Sequence, residues 1–241
     1  AAPDGYTLLF SAAANINLTP QLQKLPYDPV KQLVPVTNVG TGTQTIAVNR
    51  RIPVTTLPEL IAYAKANPGK VAYGSNGIGG TYHLEMEMIN QKQGVDITHV
   101  PYKGGTDGLN AAAAGTIPVA FSPCSSVAPL ARAGKVKFLA VLEYKRAADY
   151  PEIPAMGEQL PDYEKISGGV DLWMPAAVPT AIPRRMHAEI DKILAQAEVR
   201  ARMKEIGFPY DGTALDEMAA QRRKDFELAG RAAKVAGLKP E

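Results

Sequence analysis

The sequence predicts an α/β protein with parallel sheets joined by helical crossovers. Two observations carry this. Short runs rich in β-branched and aromatic residues alternate with segments whose apolar residues recur at helical spacing. Glycine, proline and asparagine punctuate most of the changes between them, and what repeats is a strand–helix unit rather than a fixed sequence period.

Residues 6–10 read as a buried strand, followed by a small-residue loop, Ser11-Ala12-Ala13-Ala14-Asn15. Residues 34–39 and 46–49 read as two more strands. Thr56 opens a helix: its hydroxyl can cap, Pro58 lies in the first turn, and Glu59 closes a capping box. Leu57, Leu60, Ile61 and Ala64 share one face of that helix, and Asn67-Pro68-Gly69 stops it. A strand at 70–73 leads through a glycine loop into a helix from residue 81. Then come a strand at 98–100, the turn Lys103-Gly104-Gly105-Thr106, a helix at 107–114 stopped by Gly115, and a strand at 117–122. A helix at 127–133, ended by Gly134, precedes the most strand-like run, 136–142. Residues 150–163 are rich in proline and read as an irregular connection with one short helix. After a strand at 170–174 the chain is mostly helical. Ile182, Met186, Ile190, Ile193, Leu194 and Ala197 make one apolar stripe; Val199, Met203 and Ile206 make another, ended by Gly207. A final amphipathic helix carries Leu215, Met218, Phe226 and Ala229, with Arg222, Arg223 and Lys224 expected on its solvated face.

Composition narrows the function. The chain has 241 residues, enough for one large domain or two small ones, and a formal net charge of +2. That balance argues against a nucleic-acid surface and against an acidic tail. No apolar run approaches the roughly 20 residues of a membrane-spanning helix. A single cysteine, Cys124, rules out an intrachain disulfide and a multi-thiolate zinc site. The opening, Ala1-Ala2-Pro3-Asp4-Gly5-Tyr6, carries no signal-peptide pattern, and the chain is expected to begin inside a fold with any signal peptide upstream.

The loop Tyr73-Gly74-Ser75-Asn76-Gly77-Ile78-Gly79-Gly80-Thr81 lies between a strand and a helix. Free amides at a helix N-terminus carry partial positive charge, glycines let backbone approach an anion closely, and Ser75 and Thr81 add hydroxyls. The anion is not expected to be a nucleotide phosphate. No lysine follows the glycines as a Walker loop demands. Their spacing is not G-x-G-x-x-G, and Asp96 lies before the next strand rather than at its end. A purely structural glycine turn is the bland alternative. The histidines, His83, His99 and His187, form no H-x-x-x-H pair, so no metal site is expected, and a hydrogen-bonded structural role suits His83. Cys124 sits in Ser122-Pro123-Cys124-Ser125-Ser126 without a G-x-S-x-G elbow and reads as a small core residue.

The second glycine turn, at Gly104 and Gly105, also follows a strand and precedes a helix. Two such turns after neighbouring parallel strands would share the sheet's C-terminal edge. Asp171 is open to two readings, orienting a ligand group or serving as a hydrogen-bonded strand residue. Trp173, the only tryptophan, is likewise a core residue or a pocket wall.

Several stretches occur together in order: Ala2-Pro3-Asp4-Gly5-Tyr6-Thr7-Leu8-Leu9, Leu25-Pro26-Tyr27-Asp28-Pro29, Ala64-Lys65-Ala66-Asn67-Pro68-Gly69-Lys70, Val100-Pro101-Tyr102-Lys103-Gly104-Gly105 and Ala176-Ala177-Val178-Pro179. The combination resembles the solute receptors of tripartite tricarboxylate transporters, the Bug family, from the second residue to the final helix. The resemblance implies a periplasmic binding protein of type II-like, Venus-flytrap architecture: two α/β lobes with mixed or parallel sheets flanked by helices, joined by a double crossover. It implies capture of a small carboxylate (a dicarboxylate, tricarboxylate, acidic amino acid or aromatic acid) by backbone amides and hydroxyls of strand-to-helix loops, partly through water. The resemblance implies an opening strand and glycine-rich loop ahead of the stretch that begins at Ala2, so the chain is expected to start without them. Ser122 stands where the family often has an aspartate, which favours a purely acidic or uncharged ligand.

On this basis residues 1–43 and 169–241 are expected to form one lobe, without its N-terminal strand–helix unit, and 44–168 the other. Asn15, Ser75, Gly77, Gly79, Gly80 and Thr81 would donate to the carboxylate, with help from Gly104, Gly105 and Thr106. Tyr102, Ser122, Asp171 and Trp173 would shape the distal end. No cofactor, metal, nucleic acid or catalytic residue is expected. The protein would be a periplasmic monomer that hands its ligand to the membrane components of a transporter. The alternatives are an enzyme acting on a carboxylate in the same cleft with His83 as base, and a ligand sensor feeding a signalling partner.

Overall fold

The computed structural model describes residues 2–240. The chain divides into two compact units, Ala1–Gly42 with Ile166–Glu241, and Thr43–Lys165. The first begins with β1 (Leu9–Ala12), α1 (Ala13–Asn17), α2 (Thr19–Leu22), α3 (Pro29–Gln32) and β2 (Leu33–Gly40). The second contains β3 (Gln44–Asn49), α4 (Leu57–Ala66), β4 (Ala72–Ser75), α5 (Thr81–Gln93), β5 (Thr98–Pro101) and α6 (Gly105–Ala114). It closes with β6 (Val119–Pro123), α7 (Cys124–Arg132), β7 (Val136–Val141) and α8 (Met156–Gln159). The chain then returns to the first unit with β8 (Val170–Pro175), α9 (Ala181–Leu194), α10 (Ala197–Glu205) and α11 (Leu215–Val235).

The sheets are less parallel than the strand–helix alternation predicts. In the second unit the order is β5-β4-β6-β3-β7; β5, β4 and β6 pair in parallel and β7 points the same way, while β3 is antiparallel to both of its neighbours. The first unit holds the sheet β1-β8-β2, antiparallel throughout. The reason is chain return: β3 and β8 are the strands on which the chain enters a unit, not the ends of right-handed crossovers.

Local chemistry explains the elements. Thr56 and Glu59 form the predicted capping box of α4: Glu59 N donates to Thr56 Oγ1 at 3.3 Å and Thr56 N to Glu59 Oε2 at 3.3 Å. Leu57, Leu60, Ile61 and Ala64 all turn into the core. Helices α5 and α6 end on Gly94 and Gly115 in the left-handed conformation, which lets the last carbonyls find amide partners. The core of the second unit packs Ile46, Tyr73, Met86, Phe121 and Leu139 between the sheet and helices α4 and α5. In the first unit Val36, Met174 and Val178 are covered by Ile182, Met186 and Ile190 of α9.

Four expectations need correction. Residues 6–10 are not a buried strand. Strand β1 starts at Leu9, bonds only to β8 at the sheet's edge, and leaves Tyr6 and Phe10 exposed. The small-residue stretch after it is not a loop, because Ser11 and Ala12 complete β1 and Ala13–Asn17 is helical. The stripe on α10 is not buried: Val199 and Met203 are only half-buried, Ile206 is exposed, and Ile193 on α9 is exposed too. Finally, Arg222 is not on a solvated face. It is 8% exposed and pairs with two buried carboxylates.

Candidate functional site

Three neighbouring parallel strands, β5, β4 and β6, each hand over to a helix at the same edge of the second unit's sheet. The N-cap positions of α5, α6 and α7 are Gly80, Gly104 and Pro123, and no side chain caps any of the three. This contrasts with α4, whose first turn is fully capped. A helix leaves its first amides without carbonyl partners, and glycine or proline at the N-cap cannot supply one. Cys124 N of α7 does find a carbonyl, Thr43 O at 2.9 Å, and Asp107 N of α6 bonds back to Gly104 O at 3.1 Å. The edge still gathers the remaining first-turn N–H donors and the positive ends of helix dipoles, which suits an organic anion.

The donors are not quite those that the loop sequence suggests. Gly77 N donates to Ser75 Oγ at 3.0 Å, Gly79 N to His83 Nδ1 at 3.0 Å, and Gly80 N to Gly77 O at 3.1 Å. These amides are spent in holding the loop's shape. Leu84 N makes the first bond back to the N-cap carbonyl, Gly80 O, at 3.0 Å. The amides available to a ligand are consequently those of Thr81, Tyr82 and His83, the first turn of α5. Ser75 is fully buried, and its Oγ lies 2.6 Å from His99 Nε2, so it braces the loop from inside.

Around the second turn, Tyr102 is half-buried and anchored by Tyr102 N donating to Ser75 O at 3.3 Å; Thr106 is exposed. A Cβ on Gly105 would meet Phe121 O and Tyr82 Cε2 at 2.9 Å each, so glycine is what lets the start of α6 approach β6. Ser122 lies at that junction. It is fully buried, and its Oγ has no hydrogen-bond partner. Tyr82 turns its hydroxyl to Gln44 Oε1.

The remaining predicted residues belong to the first unit. Asn15 is exposed on α1, its Nδ2 donating to Ser11 Oγ at 3.1 Å. Asp171 is fully buried, and both of its oxygens are taken by Arg222 and Asn38. These bonds are those of the second of its two readings, a hydrogen-bonded strand residue. Trp173 is buried beside a cavity of about 320 Å³ that Asn17 also lines, and its indole N–H has no partner.

Sequence reading missed His99. Its ring stacks on His83 with centroids 3.9 Å apart, and it faces Tyr73 at 5.1 Å. Burial pushes the His83 imidazole below its ordinary pKa; burial and the neighbouring His83 push His99 down to about 4. The strand register that sets Tyr73 opposite His99 brings the rings together, and no sequence spacing reveals a parallel register. Burial pushes the Cys124 thiol up to about 12, which disfavours the thiolate at neutral pH. Among the described residues, no group of three or more His, Cys, Asp and Glu could hold a metal ion.

A mixed α/β chain in two units, with helix N-termini gathered at one sheet edge, has the make-up of a solute-binding receptor. The chain belongs to the tripartite tricarboxylate transporter family receptors, whose family model matches residues 1–224. It is 40% identical over 157 residues to the UPF0065 protein in the gbd 5′ region of Cupriavidus necator, covering 65% of this chain and 47% of that protein. It is 33% identical over 193 residues to a UPF0065 protein of Bordetella pertussis, covering 78% and 58%. The chain thus spans about half the length of these curated relatives. Among solved structures, R. palustris Rpa4515 with adipate is similar at 28% identity and a TM-score of 0.80, over 100% of this chain and 81% of that one. The periplasmic binding protein BugD is similar at 25% identity and a TM-score of 0.77, over 100% and 81%. Among the described residues no helix is long and apolar enough to cross a membrane.

Proposed function

We propose that this chain is the extracytoplasmic receptor of a tripartite carboxylate transporter, and that it holds one carboxylate of a small dicarboxylic acid at the edge where α5, α6 and α7 begin. The observation that carries this reading is the absence of side-chain caps on all three helices. A carboxylate there accepts amide hydrogen bonds from the first turn of α5, worth about 1.5–3 kcal/mol each when one partner is charged. The buried, unpartnered Ser122 hydroxyl is a further donor close to α6. An uncharged serine here suits a ligand without an ammonium group, and the adipate held by the similar R. palustris protein is such an acid. A membrane component of the transporter would receive the ligand. The rival enzymatic reading asks His83 to act as a base, but its Nδ1 already accepts from Gly79 N.

Thr81→Pro tests the proposal directly. Proline is favoured at the first helical position, and Gly80 already has the extended backbone that precedes a proline, so the substitution deletes one amide and keeps the helix. Calorimetric titration with succinate, glutarate and adipate should show at least one acid binding the wild-type chain, and binding about tenfold or more weaker in the variant. Equal affinity in a variant of unchanged melting temperature would remove α5 from the site.

A further inference from the structure

The glycine loop is held from below by two imidazoles. His83 Nδ1 accepts the Gly79 amide at 3.0 Å, which fixes the neutral ring with its proton on Nε2. His99 Nε2 lies 2.6 Å from Ser75 Oγ, which in turn accepts the Gly77 amide at 3.0 Å. The two rings stack at 3.9 Å with an interplanar angle of 16°. One imidazole thus supports each limb of the loop, and the stack joins them.

We propose that His83 is the positioning residue of the carboxylate loop, acting through Gly79, and that protonation of the His83–His99 pair releases the loop and sets the acid limit of ligand binding. The inference rests on the carboxylate reading of this edge and adds its regulation.

A proton on His83 Nδ1 turns the acceptor of the Gly79 amide into a second donor, so the bond is replaced by repulsion. A charge on either ring faces the other ring, and a cation in the first turn of α5 opposes the helix dipole. The other ionisable groups facing the pair are Glu87 on α5 and Tyr73 on β4, whose hydroxyl donates to Glu87 Oε1 at 3.0 Å. Glu87 alone favours a charged imidazole. Burial of both rings, and for His99 the neighbouring His83, outweigh it and favour the neutral pair at neutral pH. A bound carboxylate would attract a nearby cation, but protonation at Nδ1 removes the Gly79 bond outright.

Asparagine places an acceptor oxygen where His83 has Nδ1, and the glutamine amide offers either an acceptor oxygen or a donor N–H where His99 has Nε2. His83→Asn combined with His99→Gln therefore keeps both hydrogen bonds without the titration. The test is an amide NMR titration of the full chain, wild type and double variant, from about pH 7.5 to about 4, the span over which a histidine with a lowered pKa titrates. In the wild type the Gly79 amide resonance should move in step with the His83 imidazole; in the variant it should stay still. A Gly79 resonance that ignores the imidazole titration, or that moves equally in the variant, overturns the proposal. Adipate affinity over the same range provides the second arm, with the acid's own protonation common to both proteins. One proton taken up on release makes the wild type lose up to about tenfold more affinity per pH unit than the variant. Parallel affinity curves would also overturn the proposal. If no adipate binds at neutral pH, the ligand reading fails for this acid, and the amide titration still decides the role of His83.

Discussion

Arg222 and Asp171 meet in a buried, two-bonded ion pair. Arg222 Nε lies 2.7 Å from Asp171 Oδ2 and Nη2 lies 3.0 Å from Oδ1, while Nη1 reaches Asp225 Oδ2 at 2.9 Å. Asn38 Nδ2 adds a third bond to Asp171 at 2.8 Å. The cluster ties α11 to β8 and β2. Removing one partner of such a pair strands a buried charge, at a cost of about 3–5 kcal/mol. Asp171→Asn should lower the unfolding free energy in urea by roughly that amount, or by somewhat less because Asp225 still holds the guanidinium. Arg222→Lys should also destabilise, since an ammonium cannot span both oxygens of Asp171. Because Asp171 is committed here, the order of preference among succinate, glutarate and adipate should be the same in folded Asp171→Asn as in the wild type.

Trp173 presents the opposite case, a buried donor with nothing to bond. An unsatisfied buried N–H costs about 1–3 kcal/mol, so removing it offsets the loss of ring volume. Trp173→Phe should leave stability within about 1 kcal/mol of wild type, while Trp173→Ala, which empties the site, should cost about 3–5 kcal/mol. Urea unfolding followed by circular dichroism measures both, since the substitutions remove the only tryptophan. A loss near that of alanine in the phenylalanine variant would show that the indole N–H is hydrogen-bonded in solution.

These two residues mark what sequence can and cannot reveal. Thr56 and Glu59 were legible as a capping box because they are three residues apart on one helix. The glycine loop was legible as a strand-to-helix turn for the same local reason. Arg222 looked like one of three surface charges because its partner Asp171 is 51 residues away, and nothing in the periodicity of α11 marks one arginine as turned inward. The apolar run from Tyr6 to Phe10 looked buried because composition reports what a segment could bury, not whether a neighbour covers it. In the candidate site the loop sequence suggests glycine amides as donors, but those of Gly77, Gly79 and Gly80 bond within the protein, and whether an N–H is free depends on where His83 and Ser75 point.

Stability should fall in mild acid before most carboxylates titrate. His99 has an ordinary pKa of 6.5 and a folded value pushed down to about 4, and His83 is shifted in the same direction. The unfolded chain therefore binds these protons at a higher pH than the folded one. The sign follows: their contribution is complete above about pH 6.5 and is lost as the pH falls towards about 4. Glu59 and Asp28, whose pKa values hydrogen bonds lower from 4.5 and 3.8, act only at lower pH. Melting temperatures should decline between about pH 6.5 and about 4.5 in the wild type. They should stay nearly level in the double variant His83→Asn with His99→Gln.

Adjacent glycines at the start of α6 should respond in opposite ways to the same methyl group. At Gly105 a Cβ would sit 2.9 Å from the Phe121 carbonyl oxygen and from Tyr82 Cε2. Backbone cannot yield as a side-chain tip can, so Gly105→Ala should push α6 away from β6 and cost about 1–3 kcal/mol. At Gly104 a Cβ meets nothing within 4 Å, and φ is −164°, an extended angle open to any residue. Gly104→Ala should be neutral or stabilising by up to about 1 kcal/mol, through a less flexible unfolded chain. If the carboxylate sits where these helices begin, the Gly105 variant should also bind adipate more weakly, because the first amides of α6 move with the backbone. Urea unfolding and calorimetry on both variants separate packing from recognition: destabilisation at Gly105 without loss of affinity would confine the site to α5 and α7.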